Sequence, residues 1–167
     1  MGITGKILIV DDEREALENC RRILSRVPYD CVVASDPNDA IDMIERERPG
    51  LVLTDLRMPK LDGIEVLAAA KRMDPAVLVV LLTAHATIDT AVTAMRYGAF
   101  DYITKPFTSD ELVQVAKRAF ESLTPVVGAG VRVGAPLERA SPRSPDEVTQ
   151  LVGNSAPMRE VLALVNK

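Results

Sequence analysis

The sequence predicts a doubly wound α/β fold, a parallel sheet with helices on both faces, and three observations carry the prediction. Short β-rich apolar runs alternate with helical patterns five times between residues 6 and 123, and parallel strands joined by right-handed crossovers bury both faces of their sheet. The run VLVVLL at residues 77–82 is apolar at every position, which suits an inner parallel strand better than a half-exposed antiparallel one. Helix-start signals stand before three of the helical patterns, at Asp36-Pro37, Asp62 to Glu65 and Thr108 to Glu111.

The first unit is the strand KILIV at 6–10, the acidic turn Asp11-Asp12-Glu13, and a helix with Leu17, Cys20, Leu24 and Val27 inward and Pro28 as its end. Residues 31–34 read as the second strand. Asp36 then serves as an N-cap with Pro37 in the first helical turn, ahead of Ala40, Ile41 and Ile44. The third strand is expected at 51–54, with a loop over 55–61 and a helix opened by the Asp62–Glu65 capping box that buries Ile64, Leu67 and Ala70. After the fourth strand, Ile88, Ala91, Val92 and Met95 give a helix one apolar side, and Gly98 stops it. Residues 100–103 form the fifth strand. The last helix opens at Thr108 and turns Leu112, Val115, Ala116, Ala119 and Leu123 inward.

From 124 to 149 the composition shifts to Pro, Gly, Ser, Ala and Arg without periodicity, as in a linker. Residues 150–167 regain a helical pattern through Met158, Val161, Leu162 and Val165, too short to build a core and expected to open a further domain. Net charge −4 and the lack of a basic, aromatic-rich stretch argue against nucleic-acid binding by this chain. No apolar run approaches the roughly 20 residues that span a bilayer, and the N-terminus resembles no targeting peptide, so a cytoplasmic location is expected. Cys20 and Cys31 lack metal-ligand or CxxC spacing and read as small buried hydrophobes.

Ligand chemistry in such sheets gathers at the carboxyl ends of the strands. The residues there are Asp11 and Asp12, Asp55, Thr83 and Lys105. Singly each has a plain explanation: the acidic pair as a helix N-terminus, Asp55 as a turn residue, Lys105 as a surface cation. At successive strand ends of one sheet they make a set. Three neighbouring carboxylates repel unless protonated or bridged by a cation, and hard oxygen ligands favour Mg2+. The chemistry that suits them is phosphoryl transfer to a carboxylate, with Asp55 as nucleophile, Lys105 and the metal offsetting charge, and the Thr83 hydroxyl donating to a phosphoryl oxygen. The single histidine, His85, reads as a surface loop residue and not as a phosphodonor.

Ile9-Val10-Asp11-Asp12-Glu13, Leu53 to Pro59 (LTDLRMP) with Asp62-Gly63, Leu82-Thr83-Ala84 and Asp101 to Phe107 (DYITKPF) resemble the signature segments of two-component response-regulator receiver domains. The resemblance covers about residues 5–123 and gives a receiver domain over 1–123. It implies a flavodoxin-like sheet of strand order 2-1-3-4-5. It further implies Asp55 as phosphoacceptor, and Mg2+ held by Asp11, Asp12, Asp55 and the backbone carbonyl of Arg57. Tyr102 becomes a switch aromatic that turns inward as Thr83 moves, Lys105-Pro106 a cis peptide, and Arg57 a position that tunes phosphate lifetime. The implied partners are a sensor histidine kinase and a second copy of the chain.

Leu151 to Met158 (LVGNSAPM) and the helical pattern after it resemble the opening of the AAA+ ATPase domain of NtrC-type sigma-54-dependent activators. No GxxxxGK[ST] phosphate loop occurs, so the chain is not the ATPase and is expected to be a regulatory fragment or shortened form of such an activator. Sigma-54 RNA polymerase and DNA would then be reached only through other domains. Two other classes compete. A haloacid-dehalogenase-type phosphohydrolase places its nucleophile in a DxD arrangement after the first strand, which Asp11-Asp12-Glu13 lacks. A degenerate receiver that only docks would not need the complete set of site residues. A stand-alone receiver also competes with an activator's input domain.

Overall fold

In the computed structural model, which describes residues 5–124, strands and helices alternate through the described chain. They are β1 (Lys6–Val10), α1 (Arg14–Leu24), β2 (Asp30–Ala34), α2 (Pro37–Glu47), β3 (Leu51–Asp55), α3 (Gly63–Met73), β4 (Leu78–Thr83), α4 (Ile88–Arg96), β5 (Asp101–Thr104) and α5 (Ser109–Leu123). The sheet has five strands in the order β2-β1-β3-β4-β5, all paired parallel. This is the expected doubly wound sheet with the expected order. The linker expected over 124–149, Thr124 apart, and the segment 150–167 lie outside the described residues.

Two apolar layers sandwich the sheet. Ile7, Ile9, Leu51, Leu53, Val80 and Leu82 face α1 and α5, packing with Leu17, Leu24, Leu112 and Phe120. Leu8, Val10, Val52, Val79 and Leu81 face the other side, with Ile44 of α2, Leu67 and Ala70 of α3, and Ala91 and Ala94 of α4. Period-two alternation sends successive residues to opposite layers, so strands covered on both faces run apolar through their interiors, as β1 does from Ile7 to Val10 and β4 from Leu78 to Leu82. Each helix of the α2 to α4 layer starts with a side-chain cap: Asp36 accepts from Asn38 N, Asp62 from Glu65 N and Thr87 from Thr90 N. A fourth such cap, Thr108 to Glu111 N, opens α5.

Several boundaries differ from the sequence reading. α1 ends at Leu24, four residues before Pro28, because Val27 N–H donates to the Leu24 carbonyl in a tight turn; Val27 stays buried. β2 begins one residue earlier, at Asp30, which pairs with Lys6. β3 runs on to Asp55 because that residue pairs with Leu82, and β4 and β5 each shift one residue later through the Thr83 to Thr104 pairing. The inner face of α4 is Ala91 and Ala94, with Val92 and Met95 only partly covered, while Ile88 is 46% exposed. Gly98 stops α4 as expected, at φ +87. Cys20 is buried, Cys31 only half-buried.

Candidate functional site

The ends of β1, β3, β4 and β5 meet at one edge of the sheet. Asp11 follows β1 and is buried, its backbone N–H donating to the Ala34 carbonyl at 3.2 Å. Its Oδ1 accepts from Glu13 N at 2.9 Å. The N-cap of α1 is Glu13, without a side-chain cap bond, so neither aspartate is spent on capping the helix. Asp12 is exposed. Asp55 is the last residue of β3 and is 8% exposed. One carboxylate oxygen from each of Asp11, Asp12 and Asp55 lies within 4.8 Å of the others.

Lys105, just past β5, bridges two of these acids. Its Nζ is 2.9 Å from Asp11 Oδ2 and 3.1 Å from Asp55 Oδ1. Its backbone N–H donates to the Thr83 carbonyl at 2.7 Å, tying the ends of β4 and β5 together, and the Lys105-Pro106 peptide is cis as expected. Burial pushes the ammonium's pKa down, but the hydrogen bonds to Asp11 and Asp55 and their charges outweigh it and leave a net rise. Burial raises the pKa of Asp55, opposed by Lys105 and reinforced by the charges of Asp11 and Asp12. Three carboxylates face one ammonium. The negative surplus, on hard oxygen donors with one of them at the solvent edge, fits a divalent cation of the Mg2+ kind.

Thr83 closes β4 and is buried; its Oγ1 accepts from His85 N at 3.1 Å. A hydroxyl that accepts there still carries a proton to donate. His85 is exposed in the loop after β4. Arg57 is exposed between β3 and α3, two residues beyond Asp55. Tyr102 points into the layer beneath α4, 1% exposed, its hydroxyl 3.0 Å from Thr90 Oγ1. The side chain expected to turn inward is therefore already inward.

Three features escaped the sequence reading. Gly63 N donates to the Leu56 carbonyl at 2.8 Å, and a Cβ on Gly63 would stand 2.3 Å from the Asp55 carbonyl oxygen, so only glycine lets α3 start against the backbone that carries Asp55. Asp101 is fully buried and accepts from Arg118 at 2.9 Å and from Tyr102 N at 2.7 Å, which anchors β5 to α5. Thr90 falls within the helical pattern of residues 88–95, and nothing in its local pattern signals the Tyr102 hydroxyl it meets from β5.

With this geometry in place, comparison with known proteins gives a consistent answer. The family model described as the response regulator receiver domain matches residues 7–117. The chain is 29% identical over 167 residues to the DNA-binding transcriptional regulator NtrC of Proteus hauseri, covering 98% of this chain and 33% of that protein. It is 42% identical over 119 residues to the nitrogen assimilation regulatory protein NtrX of Azorhizobium caulinodans, covering 70% of this chain and 26% of that one. The chain spans about a quarter to a third of the length of these relatives. Among solved structures it resembles the beryllofluoride-activated NtrC4 receiver domain dimer, with TM-score 0.69 and 29% identity, covering 72% of this chain and 100% of that one. It also resembles a receiver domain protein from Clostridium thermocellum, with TM-score 0.68 and 32% identity over 71% of this chain and 95% of that chain.

Proposed function

Because the chain belongs to the response regulator receiver domain family, we propose that it takes a phosphoryl group from a sensor histidine kinase onto Asp55 and turns that modification into a change of shape and dimerisation. The observation that carries the reading is the convergence of Asp11, Asp12 and Asp55 on one edge with Lys105 bridging two of them. In the transfer, an Asp55 carboxylate oxygen attacks phosphorus while the bond from phosphorus to the donor's imidazole breaks. The electron pair returns to the imidazole, which then takes a proton from water.

Asp11, Asp12 and Asp55, with the Arg57 backbone carbonyl, would hold Mg2+, which when bound offsets the charge of the carboxylates and of the phosphoryl oxygens. Lys105 exchanges its contact with Asp55 for one with the new phosphoryl group, which brings roughly −2 charge and three strong acceptors. The Thr83 hydroxyl donates to another of those oxygens, drawing the loop after β4 toward Asp55. Tyr102 and α4 respond to that movement. Hydrolysis by water restores the carboxylate.

Residues 1–123 are then the receiver, 124–149 a linker, and 150–167 the start of an AAA+ domain of a cytoplasmic NtrC-type sigma-54 activator. The match to NtrC over 98% of this chain, past the end of α5, supports that extension. Sigma-54 RNA polymerase and DNA would be engaged by domains other than the receiver. The test is intact-mass measurement after acetyl phosphate treatment. One phosphoryl group should add in the presence of Mg2+ and none in EDTA, and Asp55→Asn should accept none; an equally stable adduct on that variant sinks the assignment.

A further inference from the structure

The hydroxyl of Thr90 belongs to two structures at once. Within α4 it sits at the third helical position of the capping box, where its Oγ1 accepts from Thr87 N at 3.1 Å while its own N–H donates to Thr87 Oγ1 at 3.2 Å. Across the interior, the same oxygen is 3.0 Å from the Tyr102 hydroxyl. Thr90 Oγ1 also lies 3.0 Å from the Thr87 carbonyl, to which it can donate. A hydroxyl has one proton and two lone pairs, so either oxygen can donate in the pair with Tyr102, and Tyr102 is the donor whenever the Thr90 proton goes to that carbonyl. The Thr87 hydroxyl lies 3.0 Å away and is exposed, so its proton can turn to water.

We propose that Thr90 is a positioning residue for Tyr102: its hydroxyl holds the tyrosine inward and ties it to the first turn of α4, so that the ring and the helix start move as one unit. The packing agrees. Tyr102 shares one buried cluster with Ala91 and Ala94, the small side chains on the inner face of α4, whereas Ile88 of the same helix faces solvent. An outward ring would leave a void beside those alanines and break the hydrogen bond between Thr90 and Tyr102, two costs that fall on α4. A glutamate or glutamine, the usual partner at that capping position, closes the box without offering a hydroxyl to β5.

The inference rests on the receiver reading only in making Tyr102 a switch; the link itself is measurable in the unmodified chain. Tyr29, Tyr97 and Tyr102 are the three tyrosines, and Tyr97, 52% exposed, supplies an exposed reference for ring signals. In the 167-residue chain carrying labelled tyrosine, Thr90→Val should move or broaden the Tyr102 ring signals toward the exposed position, and Thr90→Ser should restore them. Loss of the cap alone would speed amide exchange in α4, so Tyr102→Phe, which leaves the capping box intact, is the discriminating variant. It should speed exchange at residues 88–92 by about three- to tenfold, the size of one lost hydrogen bond, and add nothing when combined with Thr90→Val. Unchanged exchange in Tyr102→Phe, or additive effects in the pair, overturns the proposal. Failure of Asp55 to gain a phosphoryl group from acetyl phosphate and Mg2+ in the same preparation would instead remove the receiver reading and leave the link to be judged by these measurements.

Discussion

The Lys105 ammonium stands 3.1 Å from Asp55 Oδ1, on a lysine side chain 24% exposed and an aspartate side chain 12% exposed. The same nitrogen holds Asp11, so one cation from beyond β5 balances acids carried by β1 and β3.

Lys105→Met should therefore cost stability in a metal-dependent way. Breaking a fully buried pair costs about 3–5 kcal/mol, and partial exposure of Lys105 reduces this to about 1–3 kcal/mol. Urea unfolding at neutral pH in EDTA reads the loss, and millimolar Mg2+ should recover part of it by taking over the compensation of Asp11 and Asp55. Equal stability of variant and parent in EDTA would show that the ammonium does not compensate these acids.

Gly63→Ala tests how Asp55, the proposed phosphoacceptor, is positioned. Its Cβ would meet the Asp55 carbonyl oxygen at 2.3 Å and the Leu56 Cα at 2.9 Å, both backbone atoms with little room to give. Overpacking against backbone should cost about 2–3 kcal/mol and slow phosphorylation of Asp55 by moving the strand end that carries it. Normal stability together with normal phosphorylation would mean that α3 can start farther from β3 without consequence.

Cys20 provides a pH dependence with a defined sign. Burial, then the charge of Asp11, raises its thiol to about 11 from an ordinary 9.0, with Lys105 opposing. The folded state therefore holds this proton more tightly than the unfolded state, so the associated stability is full below about pH 9 and is lost as pH rises toward 11. Cys20→Ala should remove a decline of roughly 2–3 kcal/mol from the unfolding profile over that window. Parallel profiles for parent and variant between pH 9 and 11 would refute it.

The strand ends were legible because a parallel α/β sheet places its chemistry there, and Asp11, Asp12, Asp55, Thr83 and Lys105 each stand at one. The inner face of α4 was legible only in part. Its periodicity gives Ile88, Ala91, Val92 and Met95; Ala91 is buried and Met95 packs against the core, but Ile88 is 46% exposed and Ala94 is buried instead, because the space beneath α4 is shared with Tyr102 from β5 and admits alanines. That demand comes from a residue distant along the chain, which no local pattern encodes. Gly63 is similar: it reads as a helix start, while its need to be glycine comes from the Asp55 backbone lying against it. Helix caps at Asp36, Asp62 and Thr108 were legible because the side chain and its partner are two or three residues apart.

The last prediction concerns where the modification is felt. Thr83 leads into α4, Lys105 N–H holds the Thr83 carbonyl, and Tyr102 reaches the first turn of α4, so movement toward a phosphoryl group on Asp55 acts first on α4, β5 and the start of α5. α2 is tied elsewhere, through the ion pair between Asp36 and Lys60 and its packing on α3. A charge-assisted hydrogen bond formed in only one state contributes on the order of 1.5–3 kcal/mol, which shifts a two-state equilibrium roughly ten- to a hundredfold. Ile88 and Tyr97 already expose apolar surface on and just after α4, so a reshaped face there suits pairing with a second copy. Beryllofluoride with Mg2+ should therefore change amide exchange most in residues 84–107 and raise the dimer fraction in sedimentation. If exchange changed mainly in residues 36–48 while α4 and β5 stayed as they were, the signal would leave Asp55 by the β3 to α3 loop, and both the route through Thr83 and the dimer face would be wrong.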